Sequence, residues 1–386
     1  MSNSYSFNPD AARLHFEQNF SSRGEIGASV SVWTEQQELL ALSGGFQDRE
    51  QTIPWTHDTP VLVWSATKGL SAACLLHALH SSHISLDKPV AYLWPEFAHA
   101  GKQSVTLRMI LHHQAGLPAL DRTIPVEDRD GVISALAFQA PAWAPGSAHG
   151  YHPRTFGFLV DEIVLRATTT PIGSYWHEVF AQPMNLEFWI GLPETLLPRV
   201  APILAPRSTL PKDDPFLTAF MSPGSLTSRS FASPRGLHSA SAMNESVPRM
   251  AAYPGFGGIG TASALAKFYA MLACDGCLNG TRYFPSEVLR SISLSQVQGP
   301  DRVLHIESCF RMGFMSDPTH PDGSKMRRTF GPSANAFGHP GAGGSVAFAD
   351  PSTGTGCAYV MNQMEPGVLP NFKSTGLWDA WFGQPC

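Results

Sequence analysis

No run in this chain approaches the roughly 18 consecutive apolar residues that a membrane-spanning helix needs. The stretch from Met1 to Asp10 lacks the basic start and apolar middle of a secretory signal, so the expectation is a cytoplasmic protein with no membrane partner. Charge is scarce and slightly acidic, 15% of residues with a formal net of -5, which leaves no basic field for a phosphate backbone and excludes nucleic acid as the expected partner. Cysteine is sparse. The six (Cys74, Cys274, Cys277, Cys309, Cys357 and Cys386) are scattered over 386 residues, which argues for reduced thiols rather than a disulfide framework. Cys274 and Cys277 form a C-x-x-C, but no second Cys or His pair stands at zinc-ligand spacing, so neither metal nor cofactor is expected and the pair reads as a helix-ending turn.

What the chain has is 43% hydrophobic residues, enough to build a sizeable core. Apolar spacing predicts a helix over Pro9 to Phe20, then a hairpin from Ala28–Trp33 and Glu38–Leu42. A second hairpin is predicted near the end, Ser345–Ala349 and Gly356–Met361 joined through Asp350–Gly354. Between them helical periodicity takes over at Gly69–His80, Leu107–His112, Phe156–Arg166, Ile172–Ala181 and Thr261–Ala273. The fold class that follows is α/β (α+β): an antiparallel sheet built from both chain ends, flanked by helices, with a mostly helical inserted lobe. Residues 1–75 and 255–386 form the sheet lobe in this reading, and 76–254 the helical one. Roughly Arg207 to Pro254 is rich in Pro, Ser and Gly without periodicity, and reads as a long loop walling a substrate pocket.

Chemistry concentrates at Val61-Leu-Val-Trp-Ser65-Ala-Thr-Lys68, where an extended apolar stretch runs into a helix of small residues. Positions i and i+3 share a helix face, so Lys68 can reach the Ser65 hydroxyl. A serine is a poor nucleophile without a base, and a lysine serves only where burial or nearby cations lower its pKa. The plain alternative for Ser65 is a helix N-cap. A second Ser-x-x-Lys, Ser85 to Lys88, is followed by Pro89, which disfavours helical geometry, so Ser85 reads as a turn residue. Two further segments stand out: Pro145–Val160, with Tyr151 after a glycine-containing loop and ahead of a helix, and Phe337–Asp350, with a glycine-rich bend at His339-Pro-Gly341. The closing glycine of a G-x-S-x-G nucleophile elbow is missing.

Taken in order, these segments resemble the serine β-lactamase and penicillin-binding-protein superfamily, in the class C-like branch with the family VIII carboxylesterases, whose motifs are Ser-x-x-Lys, Tyr-x-Asn and Lys-Thr-Gly or His-x-Gly. Leu86–Pro95, Leu111-His-His-Gln-Ala-Gly-Leu-Pro118 and Gly257–Lys267 extend the resemblance. It implies a serine hydrolase acting on a small-molecule ester through an acyl-serine. Ser65 would be the nucleophile, with Lys68 and Tyr151 sharing its proton and the backbone N–H groups of Ser65 and Ala342 forming the oxyanion hole. Two departures bear on the substrate: the amide of Tyr-x-Asn is replaced by Pro153, and the charged lysine beside Gly341 by His339, a group only partly charged near neutrality. Both weaken recognition of penicillin-like substrates, so carboxylesterase action is expected, with amidase, acyltransferase or β-lactamase action on the same site as alternatives. A binding homologue without catalysis is the alternative of another class. His112 and His113 read as structural, and Trp143 and Tyr253 as either pocket or core.

Overall fold

The structure, a computed structural model, describes residues 7–383; Cys386 lies outside them. Helix α1 (Pro9–Ser22) starts where the Asn8 side chain accepts the Ala11 N–H at 3.0 Å. The main sheet comprises β1 (Gly27–Trp33), β2 (Glu38–Gly45), β3 (Val297–Pro300), β4 (Glu307–Arg311), β5 (Phe314–Ser316), β6 (Phe337–Pro340), β7 (Val346–Asp350) and β8 (Thr355–Met361). These eight run antiparallel in the order β2-β1-β8-β7-β6-β5-β4-β3. The two expected hairpins therefore meet in mid-sheet, where Ala28 faces Met361 and Trp33 faces Gly356.

The continuous apolar run of β8 follows from burial on both faces. Ala358 and Val360 join the core shared with α2 (Thr67–Ser81), α3 (Thr155–Thr168) and α4 (Ala262–Ala273). Cys357, Tyr359 and Met361 point the other way, into a second core closed by α1 and α5 (Phe372–Phe382), where Phe348 meets the Trp378 ring edge-to-face at 5.2 Å. Helix α4 lies so close to β8 that a Cβ on Gly356 would stand 2.1 Å from the Ala266 oxygen, which accounts for glycine there. Among the described residues no helix is long and apolar enough to cross a membrane.

Helix α2 runs unbroken through 75–76 and packs in the core it shares with β8, α3 and α4. One expectation needs correction. Segment 207–254 is not one irregular loop: it carries four short helices, Pro215–Met221, Leu226–Ala232, Ala240–Met243 and Ser246–Met250. Asp214, Ser225 and Ser239 cap the first three by accepting the N–H three residues on. The Ser and Pro content that reads as loop is in part capping chemistry. Ser85 does lie in a turn, its hydroxyl accepting the Asp87 N–H, and Cys274 to Cys277 does end α4, all five described cysteines being free.

Candidate active site

A three-stranded sheet of 61–62, 258–260 and 188–190 delivers the chain to the start of α2. The Val63 N–H donates to the Gly258 oxygen at 3.0 Å, and Trp64 then turns with φ +49°, a conformation that a bulky residue adopts only under constraint. The constraint is visible in Thr67. Its hydroxyl donates to the Trp64 oxygen at 2.5 Å and accepts the Gly258 N–H at 2.9 Å, pinning the turn that presents half-buried Ser65.

Lys68 is fully buried, with Nζ 3.1 Å from Ser65 Oγ, 2.7 Å from the Pro153 oxygen and 2.6 Å from the Gly255 oxygen. Pro153 thus meets this cluster through its carbonyl, which holds the lysine. Burial, reinforced by the Arg154 guanidinium, lowers the Lys68 ammonium well below its ordinary range. The other titratable groups in its field are His113, His152 and His339, and burial lowers all three, the latter two to about 3. No carboxylate among the described residues pairs with Lys68.

Tyr151 stands over this pair, its ring centre 4.9 Å from Lys68 Nζ. Burial raises its phenol, opposed by a hydrogen-bonding contact with Ser65. The loop that carries it is held on both sides. His113, its ring tilted against that of Tyr151 at 5.3 Å, accepts the His152 N–H at Nδ1, while His152 donates from Nδ1 to the Gly150 oxygen and accepts the Leu117 N–H at Nε2. The structural reading of His113 is therefore right in kind, with Tyr151 as what it supports. Trp143 packs edge-on against His152 at 5.9 Å, and Tyr253 is buried against Phe256.

Asp301, which the sequence reading overlooks, anchors the other side. Its buried carboxylate accepts the Tyr151 N–H at 3.0 and 3.1 Å, the N–H groups of Val303 and Leu304, and the Ser308 hydroxyl at 2.9 Å. Nothing in the pattern Gly299-Pro300-Asp301 marks it. Asp301→Asn places an amide donor among these donors; kcat is expected to fall on the order of 10-fold or more through a displaced Tyr151, with KM little changed. Steady-state kinetics on the folded variant check this split.

On the far side, β6 brings His339 into the site. The ring is 1% exposed and donates from Nδ1 to the Pro340 oxygen at 2.7 Å, and burial holds its pKa at about 3, so it is neutral rather than partly charged near pH 7. A Cβ on Gly341 would stand 2.1 Å from the Val63 oxygen, so only glycine lets this strand end pass the segment that leads into Ser65. Among the described residues no acceptor takes the Ala342 N–H, while Gly341 and Gly344 donate within the bend and Gly343 donates to the Gly367 oxygen.

An antiparallel sheet between helices, with Ser-x-x-Lys at the first helix start, a tyrosine over the lysine and a glycine bend opposite, defines the β-lactamase architecture. The β-lactamase family profile matches residues 15–380, and the chain belongs to that family. It is 30% identical to the esterase/β-lactamase LipL of Mycobacterium tuberculosis over 90% of this chain and 80% of that protein. Its structure resembles a family VIII carboxylesterase (TM-score 0.86, 31% identity, 97% and 96% of the two chains). It also resembles a penicillin-binding-protein homologue from Caulobacter crescentus (TM-score 0.84, 35% identity, 97% and 98% of the two chains). The protein is a hydrolase of the β-lactamase superfamily with esterase relatives.

Proposed function

We propose that the protein hydrolyses carboxylic esters through an acyl-serine on Ser65. The observation that carries this is the surroundings of Lys68 Nζ. A neutral amine has two N–H bonds and one lone pair. The Pro153 and Gly255 carbonyls accept the two N–H bonds, which leaves the lone pair to the Ser65 hydroxyl. In that arrangement Lys68 accepts the Ser65 proton as the oxygen attacks, and Tyr151 relays it to the leaving alkoxide and activates water for deacylation. The N–H groups of Ser65 and Ala342 would stabilise the tetrahedral oxyanion.

Preference for esters over lactams rests on Pro153, whose carbonyl is committed to Lys68, and on neutral His339, which offers no fixed charge to a substrate carboxylate. The esterase relatives support the same reading. A panel of a short-chain 4-nitrophenyl ester, the matching anilide and a chromogenic cephalosporin tests it. Ester kcat/KM is expected to exceed the other two by 10²-fold or more, about 3 kcal/mol of transition-state preference. Equal efficiencies on ester and cephalosporin would overturn the esterase assignment, and an acyl adduct on Ser65 in intact-mass spectra would identify the nucleophile.

A further inference from the structure

Arg154 follows Pro153 directly, at the start of α3, and its side chain is 6% exposed. A buried guanidinium ordinarily has a carboxylate partner, because an uncompensated charge is costly to hold away from water. Arg154 has none among the described residues. Nη1 lies 2.8 Å from His238 Nδ1, the guanidinium carbon lies 4.7 Å from the centre of the Phe256 ring, and Nε and Nη2 meet no acceptor. The acid whose charge reaches it, Glu127, is exposed and lines a cavity of about 160 Å³ with Tyr253 and Pro254. On the inner side the residues preceding Arg154 and Phe256, Pro153 and Gly255, hold Lys68 Nζ through their carbonyls at 2.7 and 2.6 Å, which places the Arg154–Phe256 pair next to the Ser65–Lys68 site along both segments.

The His238 contact is poorly matched. The Gly236 N–H donates to His238 Nε2 at 3.0 Å, so the neutral ring must carry its proton on Nδ1, the atom that faces the Arg154 donor. Moving the proton to Nε2 repairs one contact and spoils the other. Burial, together with Arg154 and Arg235, lowers the His238 pKa, so the ring is not a charged partner either. The backbone just before His238 has positive φ at Gly236 (φ +111°) and Leu237 (φ +55°), which brings an exposed ring onto the guanidinium without satisfying it.

We infer that Arg154 is a recognition residue for a free carboxylate carried by the ester substrate, which displaces the His238 ring and takes the unpaired guanidinium donors in a two-pronged hydrogen bond. The substrate class is a half-ester of a dicarboxylic acid or an acylated hydroxy acid. A planar guanidinium matches a carboxylate with two parallel N–H bonds, and the pairing supplies the counter-charge that the protein itself withholds. The inference rests on the ester-hydrolase reading and deepens it.

The test compares three esters by pH-stat titration: methyl butyrate, monomethyl glutarate with its carboxylate on the acyl side, and butyryl glycolate with its carboxylate on the alcohol side. The wild-type enzyme is expected to favour one of the two acidic esters over the neutral one at least 10-fold in kcat/KM, mainly through KM. Arg154→Gln should abolish that ratio, Arg154→Lys should keep part of it, and His238→Ala should lower KM for the favoured acidic ester alone. The inference is overturned if neither acidic ester is favoured, if Arg154→Gln leaves the ratio unchanged, or if His238→Ala shifts all three esters equally. Turnover of methyl butyrate with no acid preference would overturn this inference and leave the hydrolase reading standing, whereas failure on all three would overturn both.

Discussion

Ser65→Ala is expected to lower ester turnover on the order of 10⁴-fold or more, since removing the nucleophile of a cooperating set costs about as much as removing the whole set. The substitution deletes one oxygen. The Pro153 and Gly255 carbonyls still hold Lys68, and Thr67 still clamps the turn at Trp64 and Gly258, so the site should keep its shape. What remains would come from the oxyanion donors and substrate binding alone. Thermal unfolding should change little, because the half-buried hydroxyl makes its principal contact with a lysine that retains two other partners. Initial rates with a 4-nitrophenyl ester and intact mass after substrate mixing check both halves. Wild-type rates in the variant, or an adduct that persists on another residue, would remove Ser65 from the mechanism.

The centre of the sheet is legible in the sequence because its strands are long and buried on both faces. Ala28–Trp33 and Gly356–Met361 announce themselves by unbroken apolar or small residues, and lie side by side in the one sheet expected from the two chain ends. The far half is not legible. Strands β3 and β5 have four and three residues, β3 ends in Gly299-Pro300, and β6 reads Phe-Gly-His-Pro, composition that signals turns until neighbouring strands supply the pairing. The short helices of 215–250 are hidden for a related reason, since they are too brief for helical periodicity and betray themselves only through Asp214, Ser225 and Ser239 at their caps.

The site divides the same way. Ser65 and Lys68 are local, three residues apart on one helix start, so spacing alone predicts their contact. Tyr151 is recognisable from its flanking pattern. What positions these groups is long-range and lies in backbone atoms: the Gly255 carbonyl on Lys68 spans 187 residues, and the Asp301 carboxylate on the Tyr151 N–H spans 150. A carbonyl has no sequence signature. Arg154 illustrates the converse, since an arginine at a helix start reads as an ordinary solvated charge until burial without a carboxylate sets it apart.

Lys68→Met should reduce kcat/KM on the order of 10²- to 10⁴-fold, the range for loss of a general base, while keeping an unbranched side chain in the same space. Lys68→Arg should do no better, because a guanidinium cannot accept the proton and would be a second buried cation beside Arg154. Tyr151→Phe should also be damaging, and the Lys68→Met/Tyr151→Phe double variant should lose less than the product of the single losses, since the two residues handle one proton. The pH profile separates proton transfer from mere support. Lys68 works as the neutral amine, so wild-type kcat/KM should fall with a single proton as pH drops through its lowered pKa. His152 and His339, held at about 3, titrate too low to supply that limb near neutrality. The stability consequence has a fixed sign. The unfolded lysine keeps its proton up to about pH 10.4 and the folded one does not. The unfolded state therefore binds more protons between the two pKa values, and wild-type stability relative to Lys68→Met must rise with pH across that window. Urea unfolding at several pH values reads this difference directly. A wild-type curve that runs parallel to that of Lys68→Met would mean that Lys68 is charged in the folded protein, and would pass the acylation base to Tyr151.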